Sequence, residues 1–264
     1  MELSKKFFQI ANIVVPIVLL IILSLLSLGQ GDYLEIFEPA GYESLTDPIN
    51  FAFAIWGPIF FFLIIFLIFQ ARDLFKSDEE KIEMPYVEQV HFTFILSTVM
   101  ASLWYISWLY RIIWLATLSM IIYLVFLLIG YLRLDINLKE RPRNEQIAVV
   151  VPWSLYTGWI TAATIVSTTT FFESIGLGDL GLLPESVWAI LIILIAGMIY
   201  LAVLFTRNDY IYTAVGIWTL IGILSQRLVS SPIIIEVVIT AIIGIVLLSA
   251  GIIYRVVSFR LLKN

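Results

Sequence analysis

Between Val151 and Phe172 the hydroxyl side chains Ser154, Thr157, Thr161, Thr164 and Thr168 recur at alternating spacings of three and four. On a helix that period gathers them on one face, widened by Gly158 and Ala162, and sets Trp153, Tyr156 and Trp159 on another. A small, hydroxylated face suits close approach of a second membrane helix, and an aromatic face suits a flat, apolar ring system. Other aromatic residues fit the same chemistry. Trp104 and Trp108 lie four apart, in line with Ser97 and Ala101, and project from one face. Trp56 precedes Gly57 and Pro58. Pro58 leaves the Ala54 carbonyl without its helical partner, which predicts a kink that opens space between helices. Trp188 reads as an anchor at the membrane interface.

Other chemistries find less support. Gly176, Gly178 and Gly181 match G-x-G-x-x-G, but dinucleotide binding needs a strand before the motif and a helix after it. Here a membrane helix precedes it, and the stretch reads as a loop. His91 is the single histidine and there is no cysteine, so a dedicated metal centre is not expected and His91 reads as a bundle-facing residue satisfied by its neighbours. Glu236, just inside the last apolar run, is expected to pair with Arg227 or Arg111 rather than to bind a coupling ion. No nucleophile–base pattern or phosphate loop occurs, so no catalytic and no metal-binding residue is assigned.

The elements that position these residues follow from composition. The chain has 264 residues, 61% hydrophobic and 13% charged, with mean hydropathy +1.02. Soluble domains carry about 25% charged residues, so the fold class is all-α, a polytopic membrane helix bundle. The pI near 4.9 argues against nucleic acid as a partner. Eight spans are predicted, at 7–28, 50–72, 87–110, 112–134, 146–172, 186–206, 210–227 and 232–257. The third and fourth part only around Tyr110–Arg111. The seventh is short and reads as interrupted by Gly216 and Gly222. With the N-terminus inside, every Lys and Arg except Arg111 and Arg227 falls on the inner side, which places both termini in the cytoplasm and the protein in the plasma membrane. The outer loop 29–49 holds Asp32, Glu35, Glu38, Glu43 and Asp47 and no base; it reads as a solvated connector or as a lid over a cavity.

Four stretches, PINFAFAIWGPIFFFLIIFLIFQ (48–70), STVMASLWYISW (97–108), VPWSLYTGWITAATI (151–165) and RNDYIYTAVGIWTLIGI (207–223), resemble in order the tryptophan-rich sensory protein (TspO/MBR) family, bacterial relatives of the mitochondrial translocator protein. The resemblance implies a five-helix core over 1–172 and a three-helix extension over 173–264 within a single membrane unit. It implies a pocket under the first outer loop and a tetrapyrrole ligand such as protoporphyrin IX or haem, with no obligatory cofactor. Trp56, Trp104 and Pro152 match family positions, and Phe53 is a looser match. Ala101 stands where an asparagine is usual, Tyr156 where short members carry a tryptophan, and Trp159 where they carry a phenylalanine. The loss of that tryptophan weakens the light-dependent porphyrin degradation that some members perform.

The expected site therefore comprises Trp56, Trp104, Trp108, Tyr156, Trp159 and Phe53, and the expected function is binding and sensing of a flat hydrophobic ligand. The partners are the lipid bilayer and that small ligand, with a homodimer left open. Two alternatives remain: a transporter of a small apolar solute, which broken helices at the midplane would favour, and a light-dependent porphyrin-degrading enzyme.

Overall fold

A computed structural model describes residues 2–28, 41–178 and 183–261, and all regular structure among them is helical. The long helices are α1 (Glu2–Leu26), α2 (Trp56–Gln70), α3 (Pro85–Leu109), α4 (Ile113–Arg133), α5 (Val151–Ser174), α6 (Glu185–Arg207), α7 (Tyr210–Val229) and α8 (Ile235–Leu261). Together with the 3-10 turn Asn50–Ile55 before α2 and the turns from Arg143 before α5, they supply eight segments long and apolar enough to cross a membrane. The protein is a multi-pass helical membrane protein. Large apolar side chains such as Leu20, Ile21, Phe61, Ile64, Met198 and Val246 are exposed, as lipid-facing positions are. Residues 29–40 of the acidic outer loop and Asp179, Leu180 and Gly181 of the glycine motif lie outside the described residues.

Three local details depart from the sequence expectation. Pro58 kinks no helix: α2 begins at Trp56, so Pro58 sits in the first turn, where a missing N–H costs nothing. The seventh span is continuous through Gly216 and Gly222. Both glycines mark close packing: a Cβ on Gly216 would stand 2.6 Å from the Tyr200 ring, and one on Gly222 2.8 Å from Ala52 Cβ. The helix that does break is α3, at His91 (φ 47, ψ −138), a conformation sparsely populated by residues with a Cβ. The His91 ring packs against Phe8 and Phe92, at centroid distances of 4.4 and 4.5 Å. Arg111, with φ 58, lies in the short α3–α4 connection, between Tyr110 and Ile112.

The chain forms two compact units, Met1–Phe37 with Trp56–Thr157, and Glu38–Ile55 with Gly158–Asn264. In the first, α3 and α4 pair as an antiparallel hairpin, and α1 packs on α3 and α2. Its core includes Phe66, Tyr86, Met120, Tyr123, Leu127 and Trp153. A polar clip holds α1 to the α2–α3 connection. Lys5 Nζ lies 2.5 Å from Asp73 Oδ2 and 2.6 Å from the Ile82 carbonyl. Gln9 donates to Asp73 Oδ1 at 2.7 Å and the Ile82 N–H to Asp73 Oδ2 at 2.9 Å. Burial alone would raise the Asp73 carboxyl, but the hydrogen bonds from Lys5, Gln9 and Ile82 and the Lys5 charge outweigh it and hold the group down at about 2.

In the second unit, α6, α7 and α8 pack pairwise, and α7 also packs on the turn Asn50–Ile55. Asn208 in the left-handed conformation caps α6, and the Asp209 side chain accepts from Tyr212 N–H at 3.0 Å to cap α7. Arg255 of α8 donates through Nε to Asn208 at 2.9 Å, which ties the α6–α7 connection to the last helix.

Candidate functional site

Trp56 opens α2 and is half-buried. Its indole stacks on Phe60, one helical turn on, with centroids 5.2 Å apart, and meets Tyr156 of α5 edge-on at 6.3 Å. Tyr156 in turn meets Tyr123 of α4 at 5.6 Å, with the Tyr123 hydroxyl donating to the Tyr156 hydroxyl. Three helices thus converge on one aromatic group inside the first unit, anchored by a phenol–phenol hydrogen bond away from water. Trp104 and Trp108, on one face of α3 as their spacing demands, lie 6.3 Å apart at a 30° tilt.

Phe53 and Trp159 belong to the second unit, where their rings meet edge-on at 5.8 Å. The structure therefore brings together Trp56 with Tyr156, Trp104 with Trp108, and Phe53 with Trp159. Sequence reasoning missed Tyr123 and Phe60. Tyr123 could have been found as a ring on the inward stripe of α4, with Ala116, Met120 and Leu127, all of which are buried.

The aromatic and hydroxyl faces of α5 are both covered. Trp153, Tyr156 and Trp159 are buried, as are Ser154, Thr157 and Thr161. Trp153 packs between Phe66 and Phe94, both at 6.3 Å, so it is core rather than lipid-facing. The small face serves helix approach: a Cβ on Gly158 would stand 3.3 Å from Tyr212 Cα, Thr161 Oγ1 is 2.6 Å from the Tyr212 hydroxyl, and the Tyr200 hydroxyl donates to the Gly158 carbonyl at 2.9 Å.

The described end of the outer loop docks on the same helix. Ser44 Oγ and Thr46 Oγ1 each lie 3.2 Å from Thr169 Oγ1. Asp47 closes the turn by accepting from Ser44 N–H at 2.7 Å. Burial pushes the Asp47 carboxyl up to about 6. The hydrogen bonds from Ser44 and the Arg227 charge oppose the rise, and Glu43 adds to it. Arg227 is buried and faces Asp47 electrostatically, whereas Glu236 is exposed in the first turn of α8 and forms no ion pair among the described residues. The expected Glu236 pairing is thus replaced: the helix N-terminus and solvent accommodate Glu236, and the loop supplies the carboxylate that Arg227 meets. Trp188, expected only as an interface anchor, lines a cavity between α5 and α6.

Eight apolar helices among the described residues, with an aromatic group assembled from α2, α4 and α5 in the first unit and an acidic loop end pinned to α5 in the second, define a polytopic helical membrane protein. The TSPO-like protein family model matches residues 6–254, and the chain belongs to that family. The match begins in α1, runs through α6 and α7 and ends inside α8, so it reaches all eight spans. No curated protein and no solved structure matches the chain.

Proposed function

We propose that this protein is a membrane-embedded binding and sensing protein, a receptor for a flat hydrophobic ligand, and that the ligand is a tetrapyrrole such as protoporphyrin IX or haem. The observation that carries the reading is the convergence of Trp56, Tyr156 and Tyr123 from three helices. Rigid rings offer large stacking area at low entropic cost, and a buried phenol pair supplies a fixed polar point within an apolar wall. Membership of the TSPO-like family supports the same reading. Trp104 and Trp108 extend the aromatic surface of α3, and Phe53 and Trp159 form a separate ring pair in the second unit. Binding is favoured over photochemical degradation because a phenol, Tyr156, stands at the position where short relatives carry an indole. The basic asymmetry supports a topology with both termini in the cytoplasm, in the plasma membrane.

The test is titration of purified protein with protoporphyrin IX. Saturable quenching of tryptophan fluorescence with a shifted Soret band is the expected result. Absence of any saturable change at micromolar ligand sinks the proposal.

A further inference from the structure

The start of α1 and the α2–α3 connection enclose a cavity of about 730 Å3. Its lining residues fall at one membrane boundary, where the first and third spans begin, at Lys5 and Pro85, and beyond the end of the second at Gln70. All of them belong to the first unit, and Trp56, Tyr123 and Tyr156 are not among them. The volume lies within the roughly 300–1,000 Å3 of small-molecule sites. Part of the wall is apolar: Leu74, Ile82, Met84 and Phe75, which is 97% exposed. A ring left bare beside the end of a span gains by facing lipid instead of water.

The charges on the wall are sorted. Lys5 and Lys81 both close on Asp73, Lys5 Nζ on Oδ2 at 2.5 Å and Lys81 Nζ on the carbonyl oxygen at 3.1 Å. Lys5 spends a second donor on the Ile82 carbonyl. An ammonium has three donors, so one remains on Lys5 and two on Lys81, held at a common point. Both lysines line the cavity, whereas Asp73 is buried and does not. This point gathers two ammoniums and one carboxylate, and the positive charge left over is what a phosphodiester monoanion neutralises. On the rest of the wall the balance is reversed. Three carboxylates, Asp78, Glu83 and Glu88, stand against two ammoniums, Lys6 and Lys76, and none of these is in an ion pair among the described residues. A simple anion meets those carboxylates, and a simple cation meets the lysine pair. A headgroup that carries both charges is matched to both parts.

We propose that this cavity holds the headgroup of a zwitterionic phospholipid with a primary ammonium, a phosphatidylethanolamine. The phosphate accepts from Lys5 and Lys81, the ammonium donates to the carboxylates of Asp78, Glu83 and Glu88, and the glycerol and first chain carbons lie against Leu74, Phe75 and Met84.

The test is native mass spectrometry of the full chain in detergent, titrated with three dioleoyl lipids that differ only in the headgroup: phosphatidylethanolamine, phosphatidylcholine and phosphatidylglycerol. Phosphatidylethanolamine should be retained at a roughly fivefold lower concentration than the other two, the worth of one hydrogen bond. The quaternary nitrogen of choline has no N–H to donate, and the glycerol headgroup leaves the carboxylates unused. Lys81→Gln, which removes one ammonium and leaves the Lys5–Asp73 pair, should weaken phosphatidylethanolamine about tenfold, as loss of a charge-assisted hydrogen bond does. Asp78→Asn, Glu83→Gln and Glu88→Gln together, all outside the core, should turn the preference to phosphatidylglycerol, a reversal that a merely structural role does not produce. Soluble phosphoethanolamine should not displace the lipid. Displacement at equal concentration would make the site one for a free phosphate monoester and overturn the lipid reading. Equal retention of the three lipids, a wild-type preference for phosphatidylglycerol or phosphatidylcholine, or unchanged retention in both variants overturns the proposal. The porphyrin titration is a separate measurement, so failure here leaves the tetrapyrrole reading as it stands.

Discussion

The Trp153 indole lies directly on Gly130: a Cβ at Gly130 would stand 2.5 Å from ring atoms Cη2 and Cζ3 and 2.8 Å from Thr93 Oγ1. α4 and α5 approach through this contact, which holds the ring between Phe66 and Phe94. Gly130→Ala should therefore destabilise the protein by about 1–3 kcal/mol, the usual cost of overpacking a core. Gly197 of α6 has no atom within 4 Å of where its Cβ would be. Gly197→Ala should be neutral or stabilise by up to about 1 kcal/mol through helix propensity alone. Thermal unfolding in detergent compares the two, and equal effects would contradict the packing assignment.

The clip between Lys5 and Asp73 carries its own pH signature. Asp73 titrates at about 2 in the folded chain against an ordinary 3.8. A depressed carboxyl contributes stability that is present above the unfolded value and lost as pH falls through the folded one. Unfolding of the wild type should become easier between roughly pH 4 and 2. Asp73→Asn should remove most of that slope and cost on the order of 2 kcal/mol at neutral pH, near the value of such a shift. A variant with an unchanged acid limb would show that the contact carries no net charge stabilisation.

Asp47 behaves in the opposite sense. Its carboxyl is raised to about 6 from 3.8, chiefly by burial. A raised acid favours the folded state below the unfolded value, and that contribution disappears as pH climbs through about 6. The turn Ser44–Asp47 should thus be held more firmly at pH 4 than at pH 7, read by hydrogen exchange of the Ser44 and Thr46 amides. In Asp47→Asn the exchange should be flat across the same range. Arg227→Gln, which removes the charge that opposes the rise, should move the transition to higher pH.

The eight spans were legible because a run of about 20 apolar residues has one stable solution in a bilayer. The small face of α5 was legible too, since Gly158 and Thr161 meet Tyr212 as their spacing suggests. The use of each ring was not. Trp153 and Tyr156 lie three apart on the same helix and have the same periodicity, yet Trp153 fills the core against Gly130 and Tyr156 bonds Tyr123. What separates them is the size of the facing residue on α4, which no local pattern records. Pro58 read as a kink because a sequence marks the proline and not the residue at which its helix begins. Side of the membrane alone offers Glu236 a partner in Arg227 or Arg111, whereas the carboxylate that Arg227 faces is Asp47, in the outer loop.

Ligand binding tests the convergence of α2, α4 and α5 most directly. Trp56→Ala removes a ring that stacks on Phe60 and meets Tyr156, and truncating an aromatic anchor of a binding site commonly costs about 2 kcal/mol or more. Protoporphyrin IX affinity should fall by roughly thirtyfold. Tyr123→Phe keeps the ring and deletes only the hydroxyl that donates to Tyr156. Its loss should be smaller, about fivefold, in line with a net hydrogen bond of about 1 kcal/mol. Trp188→Ala, in the second unit, should leave the porphyrin titration unchanged. The expected order is Trp56→Ala weakest, then Tyr123→Phe, with Trp188→Ala equal to wild type. If Trp188→Ala were the only variant to lose binding, the tetrapyrrole would have to be reassigned away from the first unit.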